Sequence, residues 1–246
     1  MVTHNAYWWF ESIITPEVCQ KIISLGESKL KEAKSQGIST LGVTGDNKEK
    51  QSVLDGEPMQ DKTYEELHNK KVYVRDSEVA WLNEKWLYDL VLPQINIANK
   101  LAGWGYDIDS FENFQFTKYH PGGFYGWHAD GTSDRFSIYK RYIPGISPTN
   151  DKGKMLKYYT RDTDLVGKVR KISMTLNLNV PGEYEGGNLK FDFGPHSVEK
   201  RYHECVEIRP QGSMIVFPSF VYHQVTPITR GTRYSLVLWT LGKPFK

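Results

Sequence analysis

Only two cysteines occur among the 246 residues, and Cys19 and Cys205 stand far apart with no C-x-x-C spacing. A disulfide framework and a multi-thiolate metal site are both excluded, and a reducing, cytoplasmic setting is the expectation. No apolar run approaches membrane-spanning length. The chain passes from Met1-Val2-Thr3-His4-Asn5 into Trp8-Trp9-Phe10 without a basic segment followed by a long apolar one, so no secretory leader is expected. An excess of one charge is missing too: 31 Lys and Arg against 29 Asp and Glu leave +2. That is too little to argue for nucleic acid or a membrane as partner. Solenoid repeats and low-complexity tracts are absent. What remains is a chain able to bury one substantial core, read as a single domain over 1–246.

The first part, 1–110, reads as a helical support region. A short strand near residue 7 leads to Thr15, a fitting N-cap, and Pro16 suits the first helical position. Val18, Cys19, Ile22, Ile23, Leu25 and Leu30 then form an apolar stripe, and Gly37 stops the helix. Residues 38–62 are polar and Gly-rich and read as a loop. Lys71–Arg75 reads as a strand, with Asp76 or Ser77 capping a helix from Glu78. A longer helix between Glu84 and Ala102 buries Trp86, Leu87, Leu90, Val91, Ile97, Ala98 and Leu101, and Pro93 should kink or divide it.

The second part, 111–246, switches to alternation of period two. Phe114 and Phe116 share one face of a strand, with Gln115, Thr117 and Tyr119 on the other. Ile172, Met174, Leu176 and Leu178 oppose Ser173, Thr175, Asn177 and Asn179 in the same way. A strand with one apolar and one polar buried face walls a cavity. Between them lies a basic loop at about 131–170, in which Lys140, Arg141, Lys152, Lys154, Lys157, Arg161, Lys168, Arg170 and Lys171 face only three aspartates from 140 onward. It is either a solvated surface segment or a clamp for a substrate backbone.

Candidate chemistry sits in three places. His128 and Asp130 are two apart, so on a strand their imidazole and carboxylate point to one side and can share an ion, with His223 as third ligand. Alone, the pair is equally a hydrogen-bonded strand end. Downstream of His223 the chain turns through Pro227 and Gly231 and returns carrying Arg233 and Ser235 on one face, a fork of donors suited to a carboxylate. His196 and His203 read as surface residues, and His120 is the one other candidate ligand.

Four stretches in order resemble one family: Tyr119-His-Pro-Gly-Gly-Phe-Tyr-Gly-Trp-His-Ala-Asp130, Tyr184-Glu-Gly-Gly-Asn-Leu189, Pro210-Gln-Gly-Ser-Met-Ile-Val-Phe217 and His223 to Trp239. They are similar to the Fe(II)/2-oxoglutarate-dependent dioxygenases, prolyl 4-hydroxylase-like branch. The resemblance implies an α+β fold, a double-stranded β-helix (jelly-roll) core backed by N-terminal helices. It implies Fe(II) on His128, Asp130 and His223, and 2-oxoglutarate held by Arg233, Ser235 and Tyr119, with Thr175 and Asn177 as further contacts. O₂ is the other co-substrate, ascorbate the expected reductant, and a proline-containing protein or peptide the expected partner. Oxidative decarboxylation to succinate and CO₂ would accompany hydroxylation, and the intact Asp130 favours that over halogenation. Arg233 stands where collagen-type and plant enzymes usually carry lysine, so a free amino acid or another protein residue stays open as substrate. A nucleic-acid demethylase usually adds a second arginine, where this chain has Val237 and Trp239. A non-enzymatic jelly-roll binding module is the remaining alternative.

Overall fold

The computed structural model describes residues 5–42, 75–132, 154, 165–194 and 201–245. The expected strand from Lys71, most of the loop over 38–62 and most of the basic loop lie outside them. Strand β1 (Trp8–Phe10) leads into helix α1 (Pro16–Ser35), whose Thr15 cap accepts from the Val18 amide at 3.5 Å. Gly37 adopts φ 69° just beyond it, a conformation in which a Cβ would be strained. The buried face of α1 carries Cys19, Ile22, Gly26 and Leu30. A Cβ on Gly26 would stand 2.4 Å from the Phe116 ring, so this glycine lets the helix lie directly on the sheet.

Three expectations fail in the next segment. Strands β2 (Arg75–Asp76) and β3 (Glu78–Leu82) stand where a helix was expected from Glu78. Residues 78–82 pair in register with residues 118–114, so tertiary hydrogen bonding and the β-favouring Val79 and Trp81 prevail over the capping signal. Ser77 caps nothing; its hydroxyl accepts from Arg75 Nε at 2.7 Å. Helix α2 (Lys85–Leu101) then runs undivided through Pro93, which lies on the solvent side. Its buried face is Leu87, Tyr88, Val91, Ile95 and Ala98, whereas Ile97 and Leu101, expected inside, are 44% and 58% exposed. The region before residue 110 is therefore not purely helical: it also supplies strands to both sheets.

The remaining strands are β4 (Ser110–Phe111), β5 (Phe114–Tyr119), β6 (Phe124–His128), β7 (Val169–Asn177), β8 (Tyr184–Gly186), β9 (Leu189–Asp192), β10 (Tyr202–Glu204), β11 (Met214–Pro218), β12 (Tyr222–Val225), β13 (Ile228–Gly231) and β14 (Arg233–Gly242). A seven-stranded sheet has the order β1-β11-β7-β14-β5-β3, with β4 beside β14; a five-stranded sheet runs β10-β9-β12-β6-β2. Their registers are antiparallel throughout. The chain does not return from His223 to Arg233 as a simple hairpin: β13 pairs with β8 as a separate ribbon.

One face of the large sheet packs on the helices through Phe114, Phe116, Ile172, Leu176, Val216, Leu236 and Leu238, the alternation read from the sequence. Its other face carries Tyr119, Thr175, Arg233, Ser235 and Trp239, which line a cavity together with His128 and His223 of the small sheet.

Candidate functional site

His128 ends β6, and His223 is its direct cross-strand neighbour on β12. Asp130 is not on a strand but in the 3₁₀ turn Asp130–Thr132 that follows. The Nε2 atoms of His128 and His223 lie 3.7 Å from Asp130 Oδ1 and Oδ2 respectively. That is too long for hydrogen bonds, but donor atoms about 2.1 Å from one shared ion stand roughly 3–4 Å apart. Among the described residues this is the one group of three such side chains, all their ligand atoms lying within 4.8 Å of one another. His120 is not part of it; its Nε2 meets Glu78 at 2.9 Å.

Each ligand is oriented from behind. His128 Nδ1 donates to the Gly126 carbonyl at 2.8 Å and His223 Nδ1 to that of Val221 at 3.0 Å, which leaves both Nε2 lone pairs facing the shared point. Burial, then the neighbouring His223, pushes His128 down to about 3, so its ring is neutral and able to ligate. Burial alone would raise Asp130, but His223, His128, Arg170 and the Ser173 hydroxyl outweigh it and hold the carboxyl at about 2. Ser173 donates to Asp130 Oδ2 at 2.7 Å, so across the 3.0 Å contact with Ser219 it is Ser219 that donates. The donor set, two imidazoles and one ionised carboxylate on one side of an ion, fits a divalent iron with open positions.

Across the cavity, Arg233 is 1% exposed, yet among the described residues no carboxylate pairs with it. Its Nη1 donates to Ser235 Oγ at 3.3 Å, its Cζ lies 5.5 Å from the Tyr119 ring centre, and its Nε has no partner. A buried cation without a counter-charge is costly, and its planar fork suits an anionic ligand group. The expected neighbours Tyr119, Ser235 and Thr175 line the same cavity. Asn177 does not serve it: the amide donates to the backbone carbonyls of Asn179, Arg209 and Pro210, bracing the turn before β11.

Sequence reasoning missed two arginines. Arg170, placed in the basic loop, belongs to β7; it grips Glu112 at 2.5 and 2.8 Å, covers the Trp239 ring at 3.9 Å and stands 3.9 Å from Asp130 Oδ1. Its neighbours Lys168 and Lys171 are also engaged, with Asp109 at 3.2 Å and the Phe245 ring at 3.7 Å, so this end of the run is no free basic surface. Arg75 is 5% exposed, donates to Ser77, Gln115 and Thr117, and lies 4.7 Å over Tyr125, whose ring stacks on His128 at 3.5 Å. Only the period-two polar face of β5 hinted at a buried partner, and for Arg75 alone. His203, read as a surface residue, is half-buried against Tyr7 at 2.9 Å.

Residues 114–241, from the start of β5 to the end of the site-bearing β14, match the model of the 2OG-Fe(II) oxygenase superfamily. The chain belongs to that superfamily. PKHD-type hydroxylases are among its similar relatives: that of Nitrobacter winogradskyi is 30% identical over 128 residues, 51% of this chain and 42% of the relative, and that of Janthinobacterium sp. 33% over 126 residues, 50% and 41%. This 2OG-Fe(II) oxygenase thus spans about two fifths of the length of those relatives. Its fold is similar to the viral collagen prolyl hydroxylase of Paramecium Bursaria Chlorella virus-1, with TM-score 0.54 at 16% identity over 97% of both chains. It is also similar to a Pseudomonas putida prolyl-4-hydroxylase, with TM-score 0.53 at 16% identity over 98% of this chain and 95% of the other. Among the described residues, no helix of this oxygenase is long and apolar enough to cross a membrane.

Proposed function

We propose that this chain is a single-domain Fe(II)- and 2-oxoglutarate-dependent dioxygenase on a double-stranded β-helix core, and that it hydroxylates proline in a protein or peptide. The observation that carries the reading is one cavity with a two-histidine, one-carboxylate group at one end and a buried, carboxylate-free Arg233 at the other. That pairing of a metal-ligand group and a guanidinium on one cavity suits a dicarboxylate. Prolyl hydroxylation is further supported by the solved relatives, all of low identity, and by the hydroxylase names of the sequence relatives.

His128, Asp130 and His223 would hold Fe(II). Bound Fe(II) supplies, with O₂, the oxidative decarboxylation of 2-oxoglutarate to succinate and CO₂ that accompanies hydroxylation. The chain's own part is positional. The Gly126 and Val221 carbonyls keep the Nδ1 protons of the histidines, Ser173 fixes one Asp130 oxygen, and Arg233 with Ser235 and Tyr119 receives the far carboxylate of 2-oxoglutarate. Tyr125 and Trp239 face the same space and offer flat surfaces to a substrate ring. Ascorbate is the reductant to include in assays.

The test is Fe(II)-dependent conversion of 2-oxoglutarate to succinate by the purified protein, with proline-rich peptides, free amino acids or single-stranded nucleic acid added in parallel. Succinate that rises with peptide, with the matching mass gain on proline, is the expected result. Stimulation by amino acids or nucleic acid alone moves the substrate assignment, and metal binding without any turnover favours a binding module.

A further inference from the structure

Strand β6 carries an irregularity beside the metal-ligand group. Its pairing with β12 runs from His128 opposite His223 to Tyr125 opposite Val225, so Gly126 and Trp127 together face Gln224 alone. Two residues against one make a β-bulge. On a regular strand Tyr125 and His128, three apart, would point to opposite faces; with the bulge between them both line the cavity. There the two rings lie flat on each other, with centres 3.5 Å apart and planes at 11°. The bulge also supplies the Gly126 carbonyl that accepts from His128 Nδ1 at 2.8 Å. His223 meets Phe217 edge-on instead, at 4.7 Å and 66°.

Tyr125 is held in turn by Arg75. This arginine is its cross-strand partner on β2, is 5% exposed, and has its Cζ 4.7 Å from the Tyr125 ring centre. Nε donates to Ser77 at 2.7 Å, and Nη1 and Nη2 donate to Gln115 and Thr117 of β5, each at 3.3 Å. A guanidinium anchored at three points is fixed in place, and its planar cation suits an aromatic ring. The hydrogen bond at Nδ1 alone leaves an imidazole free to rock about that bond. A flat neighbour at contact distance removes the freedom.

We infer that Tyr125 is a positioning residue for His128, seated by the bulge and braced by Arg75: it sets the plane of the imidazole and with it the aim of the Nε2 lone pair. The inference rests on the proposed role of His128, Asp130 and His223 as metal ligands. It requires the ring of Tyr125 and not its hydroxyl, and Arg75 acts through that ring.

The experiment is Mn(II) titration of the metal-free protein followed by electron paramagnetic resonance, which gives both the affinity and the zero-field splitting, a measure of ligand geometry. Tyr125→Met, which fills similar space without a planar ring, should weaken Mn(II) about tenfold and change the splitting, whereas Tyr125→Phe should match wild type in both. Arg75→Lys should weaken Mn(II) about threefold in the wild-type background and not at all beside Tyr125→Met. Wild-type affinity and splitting in Tyr125→Met overturn the inference, and so does an equal loss in Tyr125→Phe, which assigns the effect to the hydroxyl. Weaker binding with unchanged splitting also overturns it, marking Tyr125 as merely structural. An equal Arg75→Lys loss in both backgrounds overturns the bracing role. Tyr125→Leu is judged by the same outcomes should the methionine variant, by its metal-free melting curve, not fold. Wild type that binds no Mn(II) overturns the ligand assignment, and this inference with it.

Discussion

The two ends of the cavity are built on opposite principles. At the metal end every ligand is engaged from behind by the protein: both Nδ1 atoms donate to carbonyls and Asp130 Oδ2 accepts from Ser173. At the Arg233 end, Nε finds no partner among the described residues. The first arrangement holds its geometry through protein contacts alone. The second is complete only around an anionic acceptor, so ligand binding should stabilise the fold chiefly through that end.

The contrast can be broken most severely at the ion. His223→Ala removes one of three ligands and should abolish succinate formation, by roughly a thousandfold or more; residual turnover near wild type would mean that the triad is not the metal site. Arg233→Ala should raise the KM for 2-oxoglutarate by about a hundredfold while Mn(II) affinity, read by electron paramagnetic resonance, stays unchanged. If Mn(II) affinity is lost together with 2-oxoglutarate binding, the two ends are not separable. Ser173→Ala should weaken metal affinity by about tenfold with little change in 2-oxoglutarate KM, since among the described residues its hydroxyl bonds Asp130 and Ser219.

The smallest effect lies outside the cavity, at Glu78. Burial would raise this carboxyl, but Lys34 and His120 outweigh it and bring it down to about 2. A group whose folded value is depressed adds stability above its unfolded value, near 4.5, and loses it as pH falls toward 2. Glu78→Gln should therefore lower the melting temperature at neutral pH by a few degrees and flatten its fall between pH 5 and 2, roughly. An unchanged acid profile would show that the contact contributes nothing.

The clustering of His128, Asp130 and His223 was legible because an ordered set of motifs points to these residues, although Asp130 stands in a turn and not on the strand that the two-residue spacing assumed. His128 and His223 are cross-strand neighbours in the structure, as a shared ion requires. The faces of β5 and β7 were legible too, since alternation is a local property of a strand. The strand at 78–82 was not: its partner is β5, some forty residues on, and no local signal encodes that pairing. Arg170 was hidden for the same reason, because its carboxylate, Glu112, lies 58 residues away. Asn177 illustrates the converse, a polar residue in the right alternation whose hydrogen bonds go to a neighbouring turn.

What the sequence determined by itself is therefore the set of residues with the chemistry and the side of each strand on which they stand, because side-chain type and the two-residue period are local. What only the tertiary structure decided is which buried polar groups find partners and which are left open. Arg75 and Arg170 are closed by residues distant in sequence, whereas among the described residues Arg233 Nε finds no partner. Satisfaction of a buried donor depends on every chain segment that packs around it, and that is settled only when the two sheets come together.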